Sequence, residues 1–184
     1  MLIQDSQRNG GKKVYLRISK GSIISRKDGV ETSFSAISGA LTGIELREHE
    51  FENKKFRNWH IMISDAESGE AYDLSVGRSA GVFKSIVRSL VTEQGLAGLD
   101  DITIDVYTSK SGYTNASVSA NGQRLHWVDE QMPAIQYVTV GGNEVPDDTA
   151  QMNWIQTLVD RINARLRSGG EGLAQDDFED LPEE

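Results

Sequence analysis

Residues 59–90 read WHIMISDAESGEAYDLSVGRSAGVFKSIVRSL, and a change of period inside this stretch decides the fold. Trp59, Ile61 and Ile63 alternate with polar neighbours, as do Tyr72, Leu74 and Val76; this is the two-residue period of half-buried strands. Asp65 to Gly69 between them carries hairpin-turn residues. After Gly77 the period lengthens: Val82, Phe83, Ile86, Val87 and Leu90 make the stripe of an amphipathic helix, with Ser79 as its candidate cap.

The two-residue period continues on both sides. Toward the N-terminus, Val14, Leu16 and Ile18 alternate with Lys13, Tyr15 and Arg17, and short β-type runs surround the turn Lys27-Asp28-Gly29. Ile44 and Leu46 then alternate with Glu45, Arg47 and His49. Toward the C-terminus, Gly95 to Gly98 ends the helix, and Ile102, Ile104 and Val106 alternate with Thr103, Asp105 and Tyr107. Turns are expected at Lys110–Tyr113 and at Asn121-Gly122, and a last strand, Ile135–Val140, ends at Gly141-Gly142. Asp147 and Asp148 open a second helix with the stripe Ile155, Leu158, Val159, Ile162 and Leu166, which Ser168-Gly169-Gly170 should stop.

This pattern predicts a mainly β protein with two helices: a small, highly twisted antiparallel barrel of the oligonucleotide-binding type, with one inserted helix and a C-terminal one. The expected divisions are a flexible arm at 1–12, the barrel domain at 13–142, a helix at 147–168 packed on it, and a disordered acidic tail at 169–184.

Charge is unevenly spread. Of 184 residues, 19 are basic and 28 acidic, for a formal net charge of −9. Seven of the carboxylates lie in the last stretch, EGLAQDDFEDLPEE, which has no Lys or Arg; residues 1–170 carry the other 21 and a net charge of −2. Between Arg8 and Lys27 there are seven basic residues and no carboxylate. The body is therefore near neutral but polarised, and the acidic run reads as an interaction tail. The sequence has no cysteine, which excludes disulfides, thiolate metal sites and a cysteine nucleophile. MLIQDSQRNGGKK lacks an apolar h-region, and no window approaches the ~20 apolar residues of a membrane span. The expectation is a soluble cytoplasmic protein with no membrane partner.

Enzyme signals are weak. His49, His60 and His126 show no HExxH spacing, and Gly10-Gly11-Lys12-Lys13 misses the phosphate-loop template at its first glycine and its final Ser/Thr. Glu48-His49-Glu50 does not make a ligand set on one strand, because neighbours there point to opposite faces. No cofactor, metal or catalytic residue is expected. Binding signals are better. Single-stranded nucleic acid calls for cations along the phosphates and exposed rings for the bases. Lys12, Lys13, Tyr15, Arg17, Lys20, Arg26 and Lys27 form one such set, Lys54, Lys55, Arg57 and Trp59 a second, and Tyr107, Lys110, Tyr113, Arg124 and Trp127 a third.

A β-rich body with interleaved basic and aromatic residues, followed by an acidic tail with Phe178 and Leu181-Pro182, resembles the single-stranded DNA-binding proteins of bacteria and phages. The Tyr113, Asn121-Gly122, Trp127 and Pro133 segment is similar to phage-encoded versions. The resemblance implies an oligonucleotide-binding barrel and little sequence preference, in the cytoplasm of a bacterial or phage-infected cell. It also implies a tail that recruits replication or recombination proteins, here through Asp176, Asp177, Phe178, Glu179, Asp180 and Leu181. The sequence leaves the oligomeric state open, a homo-oligomer included. Two features depart from that family: the chain ends Glu183-Glu184 where bacterial tails end in phenylalanine, and the C-terminal helix is additional. The alternative expectation is a replisome or virion accessory module that binds only proteins.

Overall fold

The computed structural model describes residues 13–171. In chain order the elements are β1 (Lys13–Ser19), β2 (Ser22–Lys27), β3 (Val30–Phe34), β4 (Ala36–Phe51), β5 (Lys54–Ser64) and β6 (Ala71–Gly77). Then come α1 (Gly81–Leu90), α2 (Glu93–Ala97), β7 (Ile102–Thr108), β8 (Thr114–Ala120), β9 (Gln123–Arg124), β10 (Gln136–Val140), β11 (Asn143–Asp147) and α3 (Thr149–Glu171). Among the described residues, nine strands form one sheet in the order β3-β2-β1-β6-β5-β4-β7-β8-β9, while β10 and β11 pair only with each other.

The change of period in residues 59–90 is realised as expected. Trp59, Ile61, Ile63, Leu74 and Val76 face the helices and are buried, as are Val82, Phe83, Ile86, Val87 and Leu90 of α1. The expected cap is not used: Ala80 occupies the N-cap without a side-chain bond, and the Ser79 hydroxyl donates instead to Asp148 at 2.7 Å. α3 lays Met152, Ile155, Leu158, Val159 and Ile162 into the same core, with Trp154 partly buried against it. Asp147 accepts from the Thr149 backbone N–H at 2.9 Å, satisfying one open donor of the first turn. Glycines 169 and 170 do not stop this helix, which runs to Glu171.

α3 also completes the sheet. β4 pairs with β7 over Ala36–Gly39, and beyond that point its far edge has no neighbouring strand among the described residues. There the Asn163 amide donates to the Ile44 carbonyl at 2.7 Å and accepts from the Ile44 N–H at 3.1 Å. One side chain thereby satisfies two backbone groups that burial would otherwise leave unpaired.

Two expectations about the sheet are corrected. It is open, not a closed barrel. It is also not wholly antiparallel, because β1 runs parallel to β6. The sheet nevertheless curls until the β1–β2 turn touches the far hairpin. The Gly21 N–H donates to Thr114 Oγ1 at 3.1 Å, and Thr108 Oγ1 lies 3.5 Å from the Lys20 carbonyl. A Cβ on Gly21 would lie 2.0 Å from Thr108 Oγ1, so only glycine permits this approach. The helix count also differs, since α2 follows α1 as a separate short helix capped by Thr92.

Candidate nucleic-acid interface

The three basic–aromatic sets end up in different surroundings. On β1, Lys13, Tyr15 and Arg17 do lie on the face turned away from the helices, with Tyr15 65% exposed and the Lys13 ammonium 5.2 Å from its ring. Their charges, however, are already matched. Arg17 Nη2 is 2.7 Å from Glu31 Oε1, and Lys13 Nζ is 3.0 Å from Asp73 Oδ2. Asp73 is buried at the centre of a polar cluster. Arg47 Nη1 donates to it at 2.8 Å, and the ring nitrogen Nδ1 of His60 lies 2.6 Å away. The Nε2 atoms of His60 and His49 are 3.0 Å apart. A carboxylate beside Nδ1 favours that nitrogen as donor.

The electrostatics follow from this packing. Burial alone would raise the Asp73 carboxyl, but hydrogen bonds from His60, Lys13 and Arg47 outweigh it and hold the group at about 2. The hydrogen bond to Asp73 in turn raises Arg47. The cluster is a satisfied network, and its cations are committed to holding a buried charge. Among the described residues, no three His, Cys, Asp or Glu side chains group as metal ligands.

The second set lies at the β4–β5 hairpin tip, where Lys55 Nζ and Arg57 Nε each stand 3.1 Å from Glu48. Hydrogen bonds from these two, Lys55 first, hold the Glu48 carboxyl below its usual range. Trp59 is a correction to the expected site. It is 2% exposed, stacks on Phe83 at 4.7 Å between centroids, and donates its indole N–H to the Arg78 carbonyl at 3.2 Å. Its register with Ile61 and Ile63 places it on the helix side of the sheet, where no base can reach it.

The third set stays open. β7 and β8 close through the pair Thr108↔Thr114 into a turn carrying Lys110 and Tyr113, the latter 73% exposed. The β1–β2 turn docked against this hairpin carries Lys20. On the flank, the Leu125 N–H donates to Val118 O at 2.8 Å and the Val128 N–H donates to Arg88 O at 2.9 Å. These bonds fix the segment between β8 and the end of α1 and leave Trp127 52% exposed. The Arg88 guanidinium lies 4.4 Å from the Trp127 ring centroid, covering one indole face by cation–π contact. Trp127 also borders a groove of about 400 Å³ lined further by Tyr107, Ser117, Arg124 and His126. Among the described residues, no ion pair is made by Lys20, Lys110 or Arg124.

Of the remaining candidates, Arg26 and Lys27 are exposed at the opposite end of β2, Lys54 is exposed at the β4–β5 tip, and Lys12 lies outside the described residues. So do the tail residues Asp176, Asp177, Phe178, Glu179, Asp180 and Leu181. Sequence reading missed Arg88, His126 and Ser117. Arg88 lies off the apolar stripe of α1, and nothing local links a helix cation to a tryptophan 39 residues later. His126 adjoins Trp127 and could have been included on that ground.

Compared with known proteins, the chain matches no family model, no curated protein and no solved structure. No helix of the described residues is long and apolar enough to cross a membrane.

Proposed function

We propose that this protein is a non-enzymatic single-stranded DNA-binding protein and that the strand runs over the end of the sheet. One observation carries the reading. The β1–β2 turn and the β7–β8 turn bring Lys20 next to the hairpin that carries Lys110 and the exposed Tyr113, and Arg124 borders the adjoining groove lined by Tyr107 and Trp127; among the described residues none of these three cations makes an ion pair. Cations without carboxylate partners release counterions when phosphates bind, and exposed rings stack on bases of any identity. Binding of this kind has little sequence preference and falls steeply with salt. The oligonucleotide-binding relationship and the recruiting role of the acidic tail, in replication or recombination within a bacterial or phage-infected cell, belong to the same proposal.

The test is a salt-titrated binding assay with oligo-dT and a duplex of matching length, followed by tryptophan fluorescence. Tight single-strand binding that weakens with salt and quenches the fluorescence of the half-exposed Trp127 is expected. Absence of single-strand binding at low salt, or equal binding of duplex, would overturn the proposal.

A further inference from the structure

Among the described residues, the β10–β11 hairpin is anchored at its base and unsupported along its length. At the base, the Gln151 side chain donates to the Pro133 carbonyl at 2.8 Å, and Asp148 accepts from Ser79 at 2.7 Å. Beyond that, every residue from 136 to 146 is exposed. Tyr137, Val138, Val140 and Val145 are 67%, 41%, 60% and 42% exposed. The hairpin is nonetheless well formed: Gly141 and Gly142, with φ of 59° and 84°, make the two-residue turn that brings Val138 opposite Val145. A lone two-stranded hairpin is only marginally stable in water, and an uncovered apolar strand edge is a template for pairing.

Its two edges differ. β11 carries Glu144 and Pro146, a charge and a residue with no N–H to offer, which are two common ways of blunting an edge. β10 reads Gln-Tyr-Val-Thr-Val, with neither proline nor charge. The uncharged run extends from Gln131 to Asn143, in a chain in which 26% of residues are charged. Such an edge gives a foreign partner no charge to select, and two copies of it meet without repulsion.

We infer that β10 pairs with the β10 of a second copy of this chain. Placed antiparallel about a two-fold axis at Val138, the two strands set Val138 opposite itself, Tyr137 opposite Thr139 and Gln136 opposite Val140. The result is a four-stranded sheet with Val138, Val140 and Val145 of both copies on one face, which meets the minimum for a stable small sheet. Because the β11 edge is blunted, pairing stops at two copies and gives a closed dimer rather than a fibre.

Sedimentation equilibrium of the full chain tests this. A mass of about twice 20.3 kDa is expected, with the β10 amides protected from hydrogen exchange. Val138→Lys sets two ammonium groups opposite each other and should weaken dimerisation about tenfold, with Val140→Lys as a second variant at another exposed position. Both should leave the thermal midpoint of the body unchanged. Glu144→Lys, on the blunted edge, should leave the dimer intact. A wild-type chain that is monomeric at its highest soluble concentration would overturn the inference, whatever else binds the hairpin. So would a dimer unaffected by both lysine variants.

Discussion

Trp59 and Trp127 stand in stretches that look alike in sequence: each lies beside basic residues and one position from a histidine. In the fold they have nothing in common. Trp59 is sealed between the sheet and α1, stacked on Phe83, and the nearby cations Lys55 and Arg57 are bound to Glu48. Trp127 is clamped on one face by Arg88 and open on the other, and Arg124 beside it has no ion-pair partner among the described residues. The difference is in what each side chain packs against. A tryptophan near lysines is a binding platform only where its ring is uncovered and the charges are not already spent.

Substitution of each tryptophan breaks the comparison most directly. Trp59→Ala removes a fully packed side chain and leaves the Arg78 carbonyl without its donor, so it should cost about 3–5 kcal/mol in urea unfolding. Trp127→Ala at a half-exposed position should cost far less stability. If the two variants lose equal stability, Trp127 is core and the sheet end is not a platform.

Asp73 sharpens the contrast on the charged side. Asp73→Asn strips the shared partner from Lys13, Arg47 and His60 and should destabilise the fold by about 3 kcal/mol. The wild-type protein should also lose stability in acid. The folded carboxyl sits at about 2, below its usual 3.8, so its contribution is full above pH ~4 and vanishes as pH falls toward the folded value. The linked free energy is about 2 kcal/mol, readable as a drop in unfolding midpoint between pH 4 and 2 that is smaller in Asp73→Asn. An identical acid profile in the two proteins would show that the Asp73 cluster does not hold the face together.

Most of the strands, α1 and the stripe of α3 were legible in the sequence, because periodicity reports which side of an element is apolar. Periodicity does not report pairing across the sheet. Nothing in Lys13-Val-Tyr-Leu-Arg17 says that β1 lies parallel to β6, with Asp73 reaching the Lys13 ammonium. For the same reason the candidate site was read as a set of residue types, of which only part stays available. Glycine 142 was legible as a strand end, but Asn143–Asp147 beyond it, carrying Glu144 and Pro146, did not look like a strand. The hairpin turn that joins it to β10 therefore went unseen.

For binding itself, Trp127→Ala should weaken oligo-dT affinity by about 1–3 kcal/mol, the usual worth of one stacked base. The smallest effect is the most discriminating. Arg124→Ala should shallow the slope of log affinity against log salt by about 0.7, the value for one phosphate contact on a single strand. Arg17→Ala should leave that slope nearly unchanged, because the Arg17 guanidinium already faces the Glu31 carboxylate at 2.7 Å and has few counterions left to exchange. Both residues are exposed arginines in short strands, so the pair isolates the one property in which they differ. Equal slopes would mean that DNA displaces Glu31 and engages β1 as well. The interface would then extend from the sheet end across the Lys13–Arg17 face.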